Sequence, residues 1–429
     1  MNNMIEIIEP IKRISASIEV PGDKSISHRA FIISSLAKGK SLIKGSSVCA
    51  DVKSTMNVLG KLGVKFTENS EGIVVESPGI NNFNKSDDTL YAGNSGTTVR
   101  LLTGILAGLP FDTMITGDES LVKRPMKRII EPLTEMGANI ESEHGYLPLK
   151  ITGTALRPVS YTLKIASAQV KSCVLLAGIN AEGKTSVTEP SSTRDHTERM
   201  LPQFGITVEK KGLTTSVTGP QCAEPADITV PGDISSAAFF LAAALILQNS
   251  KITVSNAGLN PGRTGFIEIM RKMGANISIS DKTSACNEPA GSITALSSRL
   301  EGTDIGGRLI PASIDELPVI AVVATQAEGM TIIRDAEELR VKETDRIEAV
   351  AENLRAMCAD VEVTEDGLII HGKQQLKGAV LESYGDHRIA MAFSIAGLVA
   401  SGKTVIKDAE CVNISFPGFF SFLRKLTNE

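Results

Sequence analysis

One sequence pattern recurs six times along the 429 residues and limits the folds that this chain can adopt. The pattern is an apolar helix, a turn that is small or contains glycine, and a β-branched strand. Its copies lie at 30–44, 99–116, 170–188, 237–254, 319–333 and 389–406. A second pattern, an amphipathic helix that ends in a step into a strand, lies between successive copies, and two of its instances end in the same Met-Gly-Ala-Asn-Ile sequence. Such repetition predicts that one supersecondary unit is used six times.

The two ends of the chain are predicted to belong to the same domain. The sixth copy is followed by a helix-like segment alone, whereas residues 1–20 are strand-like and have no helix before them. We therefore expect the N-terminal strand to complete the sixth unit. The prediction is an α/β fold of two domains, the first formed by 22–231 and the second by 1–21 and 232–429. Two short chain crossings, beside two Pro-Gly-Asp turns, are expected to connect the domains as a hinge.

The segment from Pro21 to Arg29 is the first candidate for a ligand site. It places Lys24, Ser25 and Arg29 where an alternating, strand-like run gives way to an apolar, helix-like run. Backbone N–H groups at a helix start attract anions, and two cations stand beside them here. The segment therefore predicts an anion site, most simply for a phosphate or a carboxylate. A copy at 231–236 keeps the Pro-Gly-Asp turn but lacks the cations.

A polar turn precedes the buried helix of every repeat, at 23–25, 93–97, 167–169, 232–235, 312–315 and 385–388. Ser, Asp and Gly are also the ordinary caps of helices, so each turn taken alone is explained by capping. Cations are not required for capping. Those at turns or predicted helix starts are Lys24, Arg29, Arg124, Arg194, Lys342, Arg346 and Arg388.

The segment 340–346 is the most densely charged part of the chain. It predicts a charged helix start on which Lys342 and Arg346 share a face. Asp315 and Glu343 are the carboxylates that we expect to transfer protons. No cysteine or serine with a neighbouring base indicates a covalent nucleophile. Together these residues predict an enzyme that acts on small polyanionic substrates by acid–base chemistry.

Composition argues against several other classes of function. The net charge of −5 disfavours non-specific binding of nucleic acid. The longest apolar run, 237–247, is too short to cross a bilayer, and no signal peptide is recognisable. Six cysteines form no CxxC pair and five histidines show no ligand spacing with them. We therefore expect free thiols, no metal site and a cytoplasmic location.

Two sequences fit the phosphate-binding pattern GxxxxGK[ST], at 178–185 and 397–404. A phosphate-binding loop of this kind requires a strand before it and a helix after it. The predicted order is reversed in both places, because a helix precedes each match and a strand comes after it. We therefore interpret both as turns of the repeat and not as nucleotide sites.

A set of longer motifs spans nearly the whole chain. They are Pro-Gly-Asp-Lys-Ser-x-Ser-His-Arg at 21–29, Gly-Asn-Ser-Gly-Thr-Thr at 93–98, Arg-Pro at 124–125, Arg-Val-Lys-Glu-Thr-Asp-Arg at 340–346, Gly-Asp-His-Arg at 385–388 and Phe-Pro at 416–417. In this order they resemble the 5-enolpyruvylshikimate-3-phosphate (EPSP) synthases, a family of enolpyruvyl transferases. The Ser-Ala-Gln sequence at 167–169 and the Thr-Arg-Asp-His-Thr-Glu sequence at 193–198 resemble the second class of that family more than the enterobacterial one. The resemblance implies two domains of three βαβαββ repeats each, a pseudo-six-fold inside-out α/β barrel that closes on its substrates about a two-strand hinge.

The resemblance also implies a reaction. The 5-hydroxyl of shikimate 3-phosphate joins C2 of phosphoenolpyruvate while C3 gains a proton, and the tetrahedral adduct then loses phosphate. No cofactor is implied. We expect the two substrates to be the partners of a monomer that binds neither nucleic acid nor membranes.

The site residues are implied by the same motifs. Catalysis falls to Lys24, Asp315 and Glu343. Shikimate 3-phosphate is assigned to Lys24, Ser25, Arg29, Ser167, Ala168, Gln169, Arg194, Asp315 and Lys342. Phosphoenolpyruvate is assigned to Lys24, Asn94, Gly96, Arg124, Gln169, Arg346 and Arg388.

Some positions depart from the pattern of relatives. Ile414 stands where some relatives carry a lysine in the substrate site, and Glu338 stands where some have asparagine. Gly96 leaves room beside the phosphoenolpyruvate site, so we expect sensitivity to the inhibitor glyphosate. Leu101 differs from the enterobacterial residue and is expected to modulate that sensitivity.

Two alternative functions agree less well with these motifs. The sister transferase that acts on UDP-N-acetylglucosamine carries Lys-Asn where Lys24 and Ser25 stand here, and a loop cysteine ahead of its arginine. Residues 110–124 contain no cysteine, which disfavours that enzyme. A non-catalytic clamp for nucleic acid needs a basic face, which the acidic balance of the chain disfavours.

Overall fold

The computed structural model describes residues 4–427, which form two compact units. The N-terminal unit comprises 22–231 and 284–288, and the C-terminal unit comprises 4–21, 232–283 and 289–427. The short segment 284–288 differs from the predicted division, because it packs in the N-terminal unit while its neighbours in sequence belong to the other. Residues 1–3 and 428–429 of the predicted second domain lie outside the described residues.

The regular elements alternate along the described chain as an α/β protein. The strands are β1 (Glu6–Ile8), β2 (Ser15–Glu19), β3 (Gly39–Lys44), β4 (Lys65–Asn69), β5 (Gly72–Ser77), β6 (Leu90–Tyr91), β7 (Thr113–Thr116), β8 (Asn139–Glu143), β9 (Tyr146–Thr152), β10 (Ser160–Thr162), β11 (Gly183–Thr188), β12 (Val208–Lys211), β13 (Thr214–Gly219), β14 (Ile228–Thr229), β15 (Lys251–Gly258), β16 (Asn276–Ala285), β17 (Glu288–Leu296), β18 (Asp304–Ile305), β19 (Gly329–Ile333), β20 (Val361–Val363), β21 (Leu368–Gly372), β22 (Val380–Glu382) and β23 (Thr404–Lys407). The helices are α1 (Lys24–Leu36), α2 (Ala50–Lys61), α3 (Gly96–Leu106), α4 (Lys127–Glu135), α5 (Ala168–Gly178), α6 (His196–Met200), α7 (Ile234–Ile246), α8 (Gly265–Lys272), α9 (Leu309–Ser313), α10 (Leu317–Ala324), α11 (Arg346–Ala356), α12 (His387–Val399) and α13 (Phe419–Thr427). The predicted α/β class is confirmed.

Three sheets of the N-terminal unit share one topology. Their strand orders are β14-β3-β5-β4, β6-β7-β9-β8 and β10-β11-β13-β12. In each sheet the first pair is parallel and the other two pairs are antiparallel. Three sheets with the same order and the same directions are copies of one unit.

The C-terminal unit contains three more sheets, β16-β17-β15-β2, β18-β19-β21-β20 and β1-β23-β22. In the last of these, β22 pairs parallel with β23, and β1 pairs antiparallel with the other edge of β23. The first strand of the chain therefore takes the place that the third strand occupies in the other sheets. Its register joins Glu6 to Ile406 and Ile8 to Thr404.

Each unit is built around three buried helices, α1, α3 and α5 in one and α7, α10 and α12 in the other. Helix α7 is buried along almost its whole length, because it is apolar on every face. Helices α5 and α12 are followed directly by strands β11 and β23. The two P-loop-like sequences therefore lie between a helix and a strand, and the predicted reversed order is confirmed.

Side chains of the predicted polar turns cap five of these six helices. Asp23, Ser95, Ser167, Asp233 and Asp386 each accept a hydrogen bond from a backbone N–H of the first turn. The sixth turn is an exception. Residues 312–313 are helical in α9, and α10 begins at Leu317 without a side-chain cap, so the chain reaches the buried helix through an extra helical turn.

The contact between α3 and α5 gives a first prediction for stability. A Cβ on Gly104 would lie 2.2 Å from the carbonyl oxygen of Cys173, so alanine there must push the helices apart. We expect Gly104→Ala to lower the free energy of unfolding by about 1–3 kcal/mol. Around a Cβ on Gly60 in α2, residues 4–427 place no atom within 4 Å. Gly60→Ala, the matched control, should raise the free energy by about 0.5–1 kcal/mol in urea unfolding. Equal effects of the two substitutions would contradict the close crossing.

Candidate functional site

Lys24 opens helix α1 and is held by a carboxylate of the next helix. Its Nζ lies 3.1 Å from Oδ2 of Asp51, which stands in the first turn of α2. The Lys24 side chain is 18% exposed, so the ammonium is largely withdrawn from water but still reachable. The Asp23 cap fixes the turn by accepting from the N–H of Ile26 at 2.9 Å. The cation thus lies in the first turn of α1, and the helix start predicted at this segment is confirmed.

Arg29, one turn further along α1, is buried among protein partners. Its Nε donates to Oγ1 of Thr197 at 2.7 Å, Nη2 to Oγ of Ser172 at 2.9 Å, and Nη1 to the carbonyl of Ser25 at 3.0 Å. Burial lowers the pKa of Arg29 to about 10, against the opposing charge of Glu198. The positive charge of Arg194 lowers that pKa further. The guanidinium therefore joins α1, α5 and α6.

A second group of side chains connects the starts of α3 and α5. Oε1 of Gln169 accepts from Nη1 of Arg100 at 2.5 Å, and its Nε2 donates to Oγ1 of Thr97 at 3.0 Å. Ser167 caps α5 by accepting from the N–H of Val170, and Ala168 follows as its first helical residue. The amide of Gln169 is thus fixed in orientation by its neighbours.

Arg124 is oriented by Asn94 in the turn before α3. Its Nη2 donates to Oδ1 of Asn94 at 2.7 Å, and Nδ2 of Asn94 donates to Oδ2 of Asp118 at 2.9 Å. Gly96 begins α3 beside them. We call Lys24, Asn94, Arg100, Arg124 and Gln169 the N-terminal charge group.

In the C-terminal unit, Arg346 lies at the centre of three carboxylates. Its Nε donates to Oδ2 of Asp386 at 2.7 Å and its Nη2 to Oε2 of Glu343 at 2.8 Å. Nη1 is 3.7 Å from Oδ1 of Asp315 and is buried without a hydrogen-bond partner among residues 4–427. Burial acts to lower the pKa of Arg346, but Asp386 and Glu343 raise it above its usual value, so the guanidinium stays charged.

Arg388 follows Asp386 at the start of α12. Its backbone N–H donates to Oδ1 of Asp386 at 2.8 Å, and its side chain is buried. Its Nε has no hydrogen-bond partner in the described part of the chain. We call Asp315, Glu343, Arg346, Asp386 and Arg388 the C-terminal charge group.

Lys342 is placed differently from the prediction. Residues 337–341 form a 3₁₀ turn, and α11 begins at Arg346, so Lys342 and Arg346 do not share the face of one helix. The predicted shared face is wrong, because Asp345 caps α11 by accepting from the N–H groups of Ile347 and Glu348, and Lys342 lies before that cap.

The charge of Lys342 is controlled by its surroundings. Its Nζ lies 3.3 Å from Oε1 of Glu338, the residue that stands where some relatives have asparagine. Burial lowers the pKa of Lys342, and the charges of Glu338 and Asp315 oppose that shift. Ile414, the other departure, packs against the hydrophobic core and offers no charge.

Several residues in or beside these groups were not predicted as site residues. Asp386 lies in the predicted polar turn 385–388 and Asp51 in the first turn of α2, but acids at helix starts are explained by capping alone. Arg100 lies on α3 four residues after Gly96, a spacing that places it at the same helix end. Arg263 contacts Asp315 from a loop that carries no recognisable motif.

The structure also bears on membranes and metals. None of the helices within residues 4–427 combines the length and the apolar character that a bilayer crossing requires. Among the same residues, no three His, Cys, Asp or Glu side chains are grouped as metal ligands would be.

Comparison with known proteins gives one consistent result. The family model described as EPSP synthase (3-phosphoshikimate 1-carboxyvinyltransferase) matches residues 8–423. A curated relative named 3-phosphoshikimate 1-carboxyvinyltransferase, from Bacillus cereus strain B4264, is 50% identical over 422 residues, covering 98% of each chain. One of the same name from Bacillus thuringiensis strain Al Hakam is 50% identical over 424 residues, covering 98% of this chain and 99% of the relative. A solved structure of EPSP synthase from Acinetobacter baumannii shares 42% identity at a TM-score of 0.89, over 99% of this chain and 98% of that one.

Proposed function

The chain belongs to the EPSP synthase family, and on this premise we propose that its two charge groups bind phosphoenolpyruvate and shikimate 3-phosphate during the transfer of an enolpyruvyl group between them. The reaction itself is given by membership of the family. The chain is an enzyme of the shikimate pathway, which supplies the aromatic amino acids, and it transfers the enolpyruvyl group of phosphoenolpyruvate to shikimate 3-phosphate.

The observation that carries the proposed binding residues is the pair of buried arginines in the C-terminal unit. Nη1 of Arg346 and Nε of Arg388 are buried donors without hydrogen-bond partners among the described residues. Buried donors that stay unpaired are costly, and an anionic ligand would satisfy them. We therefore assign phosphoenolpyruvate, which carries a carboxylate and a phosphate, to Arg346 and Arg388, together with Lys24 and Arg124.

The remaining phosphoenolpyruvate contacts are assigned to Asn94, Gly96 and Gln169. Asn94 and Gln169 hold Arg124 and Arg100 in place, so their amides act as much on the arginines as on the ligand. Gly96 leaves the helix start without a side chain. These contacts are charge-assisted hydrogen bonds, which are stronger than those between neutral groups.

Shikimate 3-phosphate is assigned to polar groups of both units. In the N-terminal unit they are Ser25, Arg29, Ser167, the backbone N–H of Ala168, Gln169 and Arg194, with Lys24 shared between the substrates. In the C-terminal unit they are Asp315 and Lys342. Hydroxyls and N–H groups at two helix starts, with a cation beside each, suit a phosphate.

The reaction is proposed to proceed through a tetrahedral adduct. The 5-hydroxyl oxygen bonds to C2 of phosphoenolpyruvate, its proton passes to a carboxylate, and C3 receives a proton. C3 then loses a proton while the bond from C2 to the phosphate oxygen breaks and phosphate leaves. Lys24, Asp315 and Glu343 are proposed to move these protons, and the buried cations stabilise charge on the departing phosphate.

The reaction is tested by ³¹P NMR of the enzyme with both substrates. We expect the phosphoenolpyruvate signal to be replaced by inorganic phosphate while the ester phosphate of the second substrate persists with a changed shift. Persistence of both starting signals with folded enzyme would contradict the proposed function.

The lowered pKa of Lys342 predicts how binding of shikimate 3-phosphate depends on pH. A lysine must be protonated to hold a phosphate, and burial lowers the pKa of this one below the ordinary lysine value of 10.5. We expect KM for shikimate 3-phosphate to rise as the pH passes upward through this lowered pKa. In Lys342→Arg the rise should move to higher pH, since arginine stays charged. Identical pH profiles of KM for the two enzymes would exclude Lys342 as the titrating group.

Glyphosate is proposed to compete with phosphoenolpyruvate. A Cβ on Gly96 would lie 3.5 Å from Nη1 of Arg100 and 3.6 Å from Cδ1 of Leu121, which are ordinary contacts, so the protein itself tolerates alanine there. We expect the wild type to be inhibited competitively and Gly96→Ala to weaken inhibition by about tenfold or more. An unchanged rate under millimolar glyphosate at low phosphoenolpyruvate would contradict this.

We also propose that the enzyme works as a monomer in the cytoplasm. Its six cysteines are all free thiols, as is usual in a reducing compartment. Light scattering coupled to gel filtration, with and without substrates, should give the mass of one chain.

A further inference from the structure

A buried network of charges lies behind Asp315 in the C-terminal unit. Arg263, in the loop between β15 and α8, is 4% exposed, and its Nη1 donates to Oδ2 of Asp315 at 2.9 Å. Its Nη2 donates to Oγ of Ser235 and lies 3.4 Å from Oδ1 of Asp233. Oε1 of Glu316 is 4.0 Å from the same nitrogen.

Asp315 is the member of this network that reaches the surface. Its side chain is 20% exposed, whereas those of Asp233, Arg263, Glu316 and Arg346 are all 5% exposed or less. A ligand that approaches these charges therefore meets the Asp315 carboxylate first. The guanidinium of Arg263 stands behind it.

Two buried arginines flank the Asp315 carboxylate on different oxygens. Arg263 binds Oδ2 directly, while Nη1 of Arg346 lies 3.7 Å from Oδ1, beyond hydrogen-bond distance. One oxygen is thus fixed by a short charge-assisted bond. The other faces the guanidinium that we assign to phosphoenolpyruvate.

The local fold holds Arg263 rigidly in this place. Oδ1 of Asn260 accepts from the N–H of Gly262 at 2.8 Å, and the backbone carbonyl of Asn260 accepts from the N–H of Arg263 at 2.8 Å. Gly265, which begins α8, packs so closely on α9 that a Cβ would lie 2.7 Å from the carbonyl carbon of Ala312. The loop that carries Arg263 and the turn that carries Asp315 are therefore fixed in position relative to each other.

We propose that Arg263 is a positioning residue for enolpyruvyl transfer, which fixes the orientation of the Asp315 carboxylate where shikimate 3-phosphate meets it. The inference rests on the proposed function, in which Asp315 contacts that substrate. The competing interpretation is structural, namely that Arg263 only compensates the buried Asp233 and Glu316. The two interpretations predict different kinetics for a variant in which Asp315 is changed as well.

A double-mutant cycle in kcat separates them. We expect Arg263→Gln to lower kcat by about ten- to a hundredfold, because a small misplacement of a reacting group has effects of that size. KM for phosphoenolpyruvate should change by less than about twofold, since the bonds that Arg263 makes to Asp315, Ser235 and Asp233 involve none of the residues assigned to phosphoenolpyruvate. In the Asp315→Asn background the same substitution should lower kcat by less than about twofold.

Further variants keep the test decisive. Arg263→Lys keeps the charge but has one donor nitrogen in place of Nη1 and Nη2, so it cannot reproduce the geometry of both bonds, and we expect a kcat between those of the wild type and Arg263→Gln. This comparison also decides the matter if Arg263→Gln fails to fold. Arg308→Gln, the control, removes an exposed arginine whose Nη1 lies 2.9 Å from Oε2 of Glu268 on α8, and it should leave kcat unchanged.

Three results would overturn the inference. They are a wild-type kcat in Arg263→Gln, a wild-type kcat in Arg263→Lys when Arg263→Gln does not fold, and an equal loss from Arg263→Gln with and without Asp315. An inactive but folded wild type would instead overturn the proposed function, so the two failures are distinguishable.

Discussion

Replacing Lys24 by alanine is expected to reduce turnover by roughly a hundred- to ten-thousandfold while the protein stays folded. Lys24 is the cation at the start of α1, and we assign it to both substrates and to proton transfer. Loss of one preorganised charge at a reacting centre, together with loss of a proton-transfer group, has effects of about this size. Initial rates of phosphate release, measured at saturating concentrations of both substrates, give the number.

Lys61 provides the matched control for Lys24. Its Nζ lies 3.0 Å from Asp88, nearly the distance from Lys24 to Asp51, but the pair is exposed to solvent. Lys61→Ala should therefore keep the wild-type rate and unfold within about 1 kcal/mol of the wild type. Lys24→Ala removes a cation from the largely buried Asp51, so it should lower the free energy of unfolding by about 1–3 kcal/mol and leave the protein folded. Near-normal turnover of Lys24→Ala would refute its assigned role.

Replacing Arg346 by methionine is expected both to destabilise the C-terminal unit and to abolish activity. Arg346 is 2% exposed and pairs with Asp386, which is fully buried. Removing one partner of a buried ion pair leaves an uncompensated charge, which costs about 3–5 kcal/mol. Urea unfolding measures the stability, and ³¹P NMR measures the loss of turnover.

A second variant separates the two effects of Arg346. In Arg346→Met with Asp386→Asn the buried charge is removed with its partner, and asparagine still caps α12. We expect this double variant to recover most of the lost stability but no activity. Arg355→Met, on an exposed face of the same helix, should leave activity unchanged and should lower the free energy of unfolding by about 1 kcal/mol at most, since it removes one hydrogen bond from Nη2 to the carbonyl of Val361. Recovery of activity in the double variant would contradict the assignment of Arg346 to phosphoenolpyruvate.

The fold was largely predictable because the signal was repeated. A single copy of the apolar helix and its strand is compatible with many folds, but six copies in the same order are compatible with few. The pairing of β1 with β23 illustrates this, since the missing strand of the sixth copy pointed to the other end of the chain. The extra helix α9 was not predictable, because its five residues carry no periodicity that differs from a turn.

The site was predictable where the chemistry lies in a short segment. Lys24 and Arg388 stand at the helix starts that the polar turns predict, so their positions can be inferred from secondary structure alone, whereas α11 begins later than predicted, at Arg346. The role that we propose for Arg263 cannot be inferred in this way, because it depends on a contact with Asp315, 52 residues away in sequence. Burial of an arginine depends on packing between elements that are distant in sequence, so it cannot be predicted from the sequence of one loop. The ligand assignments of the site residues stay predictions.

The most direct test of the assigned function is the dependence of phosphate release on the acceptor. Phosphate release from phosphoenolpyruvate should be measured with shikimate 3-phosphate, with UDP-N-acetylglucosamine, and with no acceptor, at equal enzyme concentration. We expect rapid release with shikimate 3-phosphate and none above background in the other two reactions. Release of phosphate with UDP-N-acetylglucosamine and none with shikimate 3-phosphate would contradict the assigned function.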